Sequence, residues 1–203
     1  MNDLNAKDTI ELETLPGIKK IVLLERTSST QEVARELATQ GDMEGTLILS
    51  LTQDAGKGRM GRAWESSRGG IYMTLILQPN IGLKFLTELS LLGGRVVADT
   101  LKQVYGLTTR VKLPNDVYAL HPKKKKYLKI AGILTETASI NKTPNWILLG
   151  VGVNLNNAVS LETGVSVSEI LKKEVSREEF LQVFFENFWH IYSAWEFSSE
   201  SKS

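Results

Sequence analysis

Seven short segments rich in β-branched and other apolar residues restrict the folds open to this chain. They occupy residues 21–24, 46–51, 71–77, 109–112, 117–120, 127–137 and 146–153. Most are joined by short connections, and the stretches with helical periodicity lie apart from these clusters. The pattern predicts an α+β protein with a mixed, mainly antiparallel sheet that is flanked by helices.

Three stretches predict helices. Residues 29–41 begin with a capping box, Ser-Thr-Gln-Glu, and end at a glycine. The longest stretch covers residues 83–105, where Gly93-Gly94 indicates close packing against the sheet. A second capping box at residues 176–179 opens the last helix, whose apolar positions are Phe180, Val183, Phe184, Phe188, Ile191 and Trp195. The polar residues 198–203 should fray.

Composition narrows the class of protein. At 203 residues with 42% hydrophobic and 23% charged content, the chain is typical of one globular domain. The lack of cysteine excludes disulfides, thiolate metal sites and a cysteine nucleophile, and two histidines argue against a histidine metal centre. A net charge of +1 provides no general attraction for nucleic acid. Neither a signal peptide nor an apolar run near the roughly 18 residues of a membrane span occurs, so a cytoplasmic enzyme or binding domain is expected.

The segment from Gln53 to Trp64 has a composition that neither a packed strand nor a packed helix tolerates. It contains three glycines and three cations, namely Gly56, Gly58, Gly61, Lys57, Arg59 and Arg62. The glycines permit positive φ and let the backbone approach a ligand closely. The cations supply hydrogen-bond donors for phosphate or carboxylate. We expect a mobile loop that closes over a small anionic ligand.

Within this segment, residues 56–61 match the pattern GxGxxG literally. A dinucleotide site would need a helix to begin there and an acidic residue about twenty positions later. Instead, Gly69-Gly70 and a predicted strand follow, and no Gly-Lys-Ser/Thr sequence opens a helix as a P-loop requires. Both nucleotide motifs are therefore rejected. A solvated surface loop remains the alternative, although it does not explain why Gln53, Trp64 and the cations are concentrated there.

Four further patterns each have an ordinary structural interpretation beside a functional one. Ser29-Thr30-Gln31 is either a helix cap alone or a site for an anionic or carbonyl-bearing ligand. Lys112-Leu-Pro-Asn-Asp116 is either a tight turn or a site for phosphate and Mg²⁺. Lys129 either extends to solvent or offers its charge to a carboxylate or phosphate. The glycines of Gly150-Val-Gly-Val-Asn154 make room for another element or for a ligand.

Together, in this order and spacing, the patterns resemble the catalytic domain of biotin–protein ligase over residues 20–196. The segments 53–64 and 112–116 are highly characteristic of that family. Two positions depart from it, because Lys57 and Leu113 stand where the family usually has arginine and tryptophan. Lys57 keeps the charge without the bidentate fork. Leu113 keeps apolar bulk without the ring.

The resemblance implies the class II aminoacyl-tRNA-synthetase-like fold of the biotin and lipoate ligases and a two-step reaction. The carboxylate of biotin attacks the α-phosphate of ATP, which gives biotinyl-5′-AMP and pyrophosphate. A lysine of a biotin carboxyl carrier domain then attacks this mixed anhydride. ATP and Mg²⁺ are implied as co-substrate and activator, biotin as substrate, and no tightly bound prosthetic group. Because the first step joins two anions, cations must offset their repulsion, and the loop at 53–64 would shield the adenylate from water.

By the same resemblance, three sets of residues are candidates for the site. The catalytic cations are Arg59, Lys112 and Lys129. The biotin-binding residues are Ser29, Thr30, Gln31, Gln53, Gly56, Lys57, Gly58, Arg59 and Lys129. The nucleotide-binding residues are Arg62, Trp64, Lys112, Asn115, Asp116, Gly152 and Asn154. Asp116 is also the candidate Mg²⁺ ligand.

One catalytic domain is expected at residues 21–196, between a lead-in at 1–20 and a polar tail at 197–203. The lead-in is too short for the DNA-binding domain of bifunctional family members, and the small C-terminal β-barrel domain of many members is expected to be missing. A biotin carboxyl carrier protein or domain is the expected acceptor. The run Lys123–Lys126 is a solvated turn whose charge could guide an acidic partner. We expect a homodimer and neither a nucleic acid nor a membrane as partner.

Alternative functions stay open at this point. A lipoate–protein ligase shares the fold, although its characteristic motifs are not evident, and octanoyl transfer through a thiol is excluded because the chain has no cysteine. A non-catalytic module that holds biotin or an adenylate is the alternative from a different class. A nucleic-acid binder would need a broader cationic face. Competition between biotin and lipoate, followed by modification of a carrier, separates these functions.

Overall fold

A seven-stranded sheet in the order β1-β2-β3-β7-β6-β5-β4 organises the computed structural model, which describes residues 14–79, 85–140 and 143–200. Its strands are β1 (Lys20–Thr27), β2 (Thr46–Gln53), β3 (Ile71–Leu77), β4 (Thr109–Lys112), β5 (Asp116–His121), β6 (Lys126–Ile140) and β7 (Thr143–Val153). β1 and β2 pair in parallel, and every other pairing among these strands is antiparallel. The predicted mixed, mainly antiparallel sheet is confirmed.

Helices account for the other regular structure of the described residues. They are α1 (Thr30–Thr39), α2 (Leu86–Tyr105), α3 (Val167–Leu171) and α4 (Arg177–Glu200), with a 3₁₀ turn at Arg59–Gly61. The sequence did not predict α3, because five residues are too few for a helical period. The predicted start of α2 at residue 83 lies outside the described residues. No helix in the described ranges is long and apolar enough to cross a membrane.

The two faces of the sheet carry two separate cores. Successive strand residues point to opposite faces, so Leu47 and Leu49 join a large core with the buried residues of α2 and α4. Ile48 instead joins a small core with Ala34 of α1 and Leu148 of β7. The larger core runs under β2, β3, β5, β6 and β7, whereas the smaller one covers only the half near β2, β3 and β7. The same face therefore remains open beyond α1, toward β4, β5 and β6.

Strand β5 shows this open half directly. Val117, Ala119 and His121 are buried, whereas the alternating residues Asp116, Tyr118 and Leu120 are half-exposed. Helix α2 packs on the buried side of β4, β5 and β6. Gly93, as predicted, lies close to the sheet, since a Cβ there would be 3.3 Å from Leu149. The site must therefore lie between α1 and the open end of the sheet.

The helix ends differ from prediction in particular contacts. Ser29 is the N-cap of α1, but its hydroxyl caps no backbone amide, and Ser28 donates to Glu32 instead. The second capping box is confirmed in part, because the Glu179 amide donates to Ser176 Oγ at 3.0 Å. Helix α4 continues to Glu200, into the polar stretch 198–203 that the sequence predicted to fray.

The buried face of α4 also differs from the predicted one. Phe180, Phe184 and Phe188 are buried as predicted, but Ile191 is 37% exposed and Tyr192 is buried in its place. Helix α4 is apolar on more than one side, so its periodicity did not determine its orientation. Part of the predicted lead-in is packed as well, since Leu15 belongs to the large core.

Candidate active site

A single cleft of about 560 Å³ collects the patterns that the sequence marks as functional. It lies between the N-terminus of α1, the segment 53–66, the β4–β5 turn, and strands β6 and β7. All the predicted site residues except Gly56 line it. Residues 118, 132–134, 150–151, 157–159, 161, 163 and 164 also line the cleft, and sequence reasoning did not assign them. Segments far apart in sequence thus form one site.

The segment 53–66 is a narrow, hydrogen-bonded loop. Its two arms meet where Gly58 N–H donates to the Arg62 carbonyl at 2.7 Å and Trp64 N–H donates to the Gly56 carbonyl at 2.8 Å. Of the three predicted glycines only Gly61 takes a positive φ, and Met60 takes one beside it. Gly56 serves close packing instead, because a Cβ there would lie 2.4 Å from the Trp64 carbonyl oxygen. Only one of the three glycines therefore uses the positive φ that glycine permits.

The N-terminus of α1 forms the polar end of the cleft. Gln53 Oε1 accepts from the Thr30 amide at 2.8 Å, and Gln53 Nε2 donates to Ser66 Oγ at 2.8 Å. Gln31 Nε2 donates to the Leu134 carbonyl at 3.1 Å. Ser29 Oγ and Gln31 Oε1 are buried without a hydrogen-bond partner among the described residues. Because such groups are costly to bury unpaired, they favour a polar ligand at this end.

Glycines in β6 and β7 make room for two side chains. A Cβ on Gly150 would lie 2.8 Å from Gln31 Nε2, and one on Gly152 would lie 2.6 Å from the indole of Trp64. Gly132, the register partner of Gly152, also lies under this indole. The space that the sequence left open is therefore filled here by side chains of α1 and the loop. Trp64 Nε1 is buried with no hydrogen-bond partner in the described ranges.

Lys129 and Asp116 form the central ion pair of the cleft, with Nζ and Oδ1 2.7 Å apart. Lys129 Nζ also lies 5.2 Å from the centroid of the Trp64 ring, at cation–π distance. Both side chains are partly exposed to the cleft, at 32% and 23%. The pair therefore presents a cation beside an indole, with a carboxylate to hold it in place.

The other cations have different partners. Arg59 Nη1 donates to Asn115 Oδ1 at 3.3 Å, which joins the loop to the β4–β5 turn. Lys112 Nζ lies 5.7 Å from the centroid of the Tyr118 ring. Arg62 is exposed at the cleft wall, and among the described residues it has no ion pair. Arg59, Arg62 and Lys112 thus surround the cleft mouth.

Lys57, one of the two positions that depart from the family pattern, is bound to α1. Its Nζ lies 2.8 Å from Glu32 Oε1. The hydrogen bond from Lys57, and secondarily that from Ser28, lowers the pKa of the Glu32 carboxyl. Leu113, the other departure, lines the cleft and is 70% exposed. Lys57 therefore anchors the loop as well as lining the cleft.

The far end of the cleft contains residues that sequence reasoning missed. Asn157 Nδ2 donates to Asn154 Oδ1 at 3.0 Å, while Asn157 Oδ1 is buried without a partner among the described residues. Tyr72 donates to the Ser67 carbonyl, and burial raises the pKa of its hydroxyl. The signal for Asn157 was the asparagine-rich run after β7. The sequence contained no signal for Tyr72, since an aromatic residue is ordinary in a buried strand.

Comparison with known protein families points to the same family as the sequence patterns. Residues 23–154 match the model of the Biotin/lipoate A/B protein ligase family. The chain belongs to this family. The matched range contains every predicted site residue.

Named members of the ligase family resemble the chain over unequal shares of their length. The Bifunctional ligase/repressor BirA of Bacillus subtilis is 39% identical over 130 residues, which are 64% of this chain and 38% of that protein. The Biotin--[acetyl-CoA-carboxylase] ligase of Paracoccus denitrificans is 34% identical over 170 residues, which are 79% of this chain and 68% of that protein. The chain thus spans between about two fifths and two thirds of these ligases.

Solved structures of biotin protein ligases share the fold. The enzyme of Aquifex aeolicus in complex with biotin and ATP superposes with a TM-score of 0.74 at 27% identity, covering 90% of this chain and 74% of that one. The Leishmania major enzyme in complex with biotinyl-5-AMP gives a TM-score of 0.71 at 23% identity, covering 87% and 76%. At that lower identity the likeness extends to the fold alone. The predicted biotin and lipoate ligase fold is confirmed.

Proposed function

We propose that this chain activates biotin with ATP to biotinyl-5′-AMP and transfers biotin to a lysine of a biotin carboxyl carrier domain. One observation carries the proposal. At one end, the same cleft has buried atoms of Ser29 and Gln31 that find no hydrogen-bond partner among the described residues. The cations Arg59, Lys112 and Lys129 lie nearer its mouth. Such a cleft suits a molecule with a polar head and an anionic tail. The names of the Paracoccus and Aquifex relatives support biotin as that molecule.

In this proposal the polar end binds the ureido ring of biotin. A ureido group has both donors and a carbonyl acceptor, so it can satisfy Ser29 Oγ and Gln31 Oε1 together. Thr30 and Gln53 are already hydrogen-bonded to each other and hold this end in shape. The apolar body of biotin would then extend along β7 toward Lys129. Gly56, Lys57 and Gly58 would set the backbone of the loop over it.

The cations serve the first step. The biotin carboxylate forms a bond to the α-phosphorus of ATP, and pyrophosphate leaves with the electrons of the broken P–O bond. Lys129 stabilises the charge that builds between carboxylate and α-phosphate, and Arg59 and Lys112 bind the phosphate oxygens. Trp64, Asn115, Gly152 and Asn154 would form the nucleotide side, with Arg62 at the rim. The Trp64 indole now lies over Gly152. For adenine to bind there, the indole must either make room beside it or move away.

Asp116 is the candidate Mg²⁺ ligand. Within the described ranges no group of three or more His, Cys, Asp or Glu side chains could form a metal cage. One carboxylate nevertheless fits Mg²⁺, which commonly binds through one or two carboxylates together with phosphates and water. When bound, the ion would offset phosphate charge. Lys129 would compete with Mg²⁺ for the Asp116 carboxylate. Asp116 can therefore bind either one of these cations or both.

The second step transfers biotin to the acceptor. The neutral ε-amine of the carrier lysine attacks the anhydride carbonyl, AMP leaves, and the amine loses a proton. Because the anhydride hydrolyses readily, the loop at 53–64 should cover it until the acceptor arrives. We propose that this occurs in the cytoplasm. A homodimer, and the absence of nucleic-acid and membrane partners, stay predictions.

The decisive experiment measures ATP–pyrophosphate exchange with biotin or lipoate as the only acid, and then mass increase of a carrier domain. We expect exchange with biotin, and a carrier modified at one lysine. Exchange with lipoate alone would overturn the proposal in favour of lipoate ligation. Tight biotin binding with neither exchange nor carrier modification would identify a binding module instead.

A further inference from the structure

Positive charge is concentrated at one end of the sheet. Residues 109–129 contain seven Lys and Arg against one Asp, a net charge of +6. Because the whole chain carries +1, all remaining residues together carry −5. We call this segment, which comprises β4, β5, their turn, the Lys123–Lys126 turn and the start of β6, the basic end. A nearly neutral protein thus has a strongly cationic surface on one side.

Most of these cations are exposed and unneutralised. Lys129 pairs with Asp116, and Lys124 pairs with Glu169 at 3.2 Å. In the part of the chain that the structure describes, the remaining five have no carboxylate within ion-pair distance; they are Arg110, Lys112, Lys123, Lys125 and Lys126. All five are exposed. Like charges so close together repel one another and raise the free energy of the folded protein. An anionic partner would reduce this repulsion.

Two tyrosines hold one of these cations in a fixed position. The Arg110 guanidinium carbon lies 4.1 Å from the ring centroid of Tyr127 and 5.8 Å from that of Tyr118. Tyr118 lies opposite Arg110 in the β4–β5 pairing. A stacked guanidinium keeps its edge donors available for a carboxylate and loses little side-chain entropy on binding. The arrangement is suited to an acidic protein surface.

The basic end is continuous with the candidate active site. Arg110 and Lys112 occupy alternate positions of β4, and Lys112, Tyr118 and Lys129 line the cleft. A macromolecule that rests on this face therefore meets the cleft mouth. Helix α2 closes the opposite face of the same strands.

We propose that the basic end is the docking surface for the acceptor domain, and that the docked face of the acceptor is acidic around its target lysine. The inference rests on the proposed biotin transfer. A long nucleic acid fits less well, since it would run from this patch onto the rest of the chain, which carries −5. The acceptor must approach this opening in any case.

Charge reversal tests the proposal. In the variant R110E/K126E we expect the KM for an isolated biotin carboxyl carrier domain to rise about tenfold or more at low salt. Biotin-dependent ATP–pyrophosphate exchange should stay within about twofold of wild type, because neither residue lines the cleft. The KM difference should shrink in about 0.5 M salt, where charges are screened.

A matched control carries the same charge change elsewhere. R95E/K173E replaces one exposed arginine and one exposed lysine, on α2 and beyond α3, and we expect its KM to match wild type. The milder R110Q/K126Q should give an intermediate KM if the double reversal reduces folding.

Two outcomes would overturn the proposal. They are equal KM values for R110E/K126E and the control, or loss of duplex DNA binding in R110E/K126E with unchanged transfer. The absence of exchange or of transfer in the wild type would instead reject the proposed function itself.

Discussion

At the scale of single residues, Lys129 has the most direct role in the proposed chemistry. It faces the cleft beside Trp64 and is held by Asp116. K129A should lower the rate of biotin-dependent pyrophosphate exchange by about 10²–10³-fold, as loss of one preorganised charge does elsewhere. Stopped-flow or radiolabel exchange assays measure this. K112A, at an exposed cation nearer the cleft mouth, is the comparison, and a normal exchange rate in K129A would show that another cation serves the α-phosphate.

Gly152 gives a prediction about packing. In G152A the new methyl group would lie 2.6 Å from the Trp64 indole, so the ring must move. We expect a loss of about 1–3 kcal/mol in the free energy of unfolding, measured with urea, together with weaker ATP binding.

The matched substitution G94A should instead raise the free energy of unfolding. Gly94 lies inside α2, and a Cβ there would be an ordinary 3.4 Å from Val111. Alanine favours the helix by about 0.5–1 kcal/mol. Equal destabilisation of both variants would contradict the proposed contact of Trp64 with Gly152.

At the scale of elements, the loop at 53–66 is the part of the site that must move. Arg59 joins it to the β4–β5 turn through Asn115. R59A should release or hydrolyse preformed biotinyl-5′-AMP about tenfold faster, since a charged hydrogen bond is lost. A chase with unlabelled biotin measures retention. M60A, at an exposed neighbour, is the control, and equal retention in both variants would show that the loop does not seal the cleft through Arg59.

The ion pair between Glu32 and Lys57 makes the loop's attachment depend on pH. Because the folded-state pKa of Glu32 is lowered, its contribution to stability is present above the unfolded value of about 4.5 and is lost as pH falls through the folded pKa. Proteolysis of the loop should therefore accelerate below pH 4.5 in wild type. E32Q should be cleaved at the faster rate throughout. If cleavage of the wild-type loop does not approach the E32Q rate as pH falls from 7 to 3, the anchor is contradicted.

At the scale of the whole molecule, α2 and α4 cover one sheet face with a large core, and the other face is half open. The large core under α2 and α4 can keep the sheet rigid while the cleft exchanges ligands. Binding to the folded state alone stabilises it by about 2.7 kcal/mol at a ligand concentration of 100 Kd.

Biotin should therefore raise the melting temperature by about 5–10 °C for a domain of this size. Differential scanning fluorimetry measures the shift. Lipoate at equal concentration is the control, and a larger shift with lipoate than with biotin would place the chain among lipoate binders.

Much of this architecture followed from the sequence, for a physical reason. Short runs of β-branched and other apolar residues located all seven strands, since a strand that buries its side chains leaves a local record. The glycines and cations of 53–64 and the turn at 112–116 marked the site, because their backbone demands and charges do not depend on distant contacts. Short α3, the buried face of α4 and the cleft residue Tyr72 left no such local record.

The sequence by itself thus determined the fold class, the strands and the chemistry available to the site. The tertiary structure decided which groups meet. Lys57 binds Glu32 and Lys129 binds Asp116 because strand pairing and helix placement bring these residues together. It also decided that Trp64 rests on Gly152 and that the cationic segment 109–129 forms one end of the sheet beside the cleft. Contacts between residues distant in sequence depend on register and packing, which no local pattern contains.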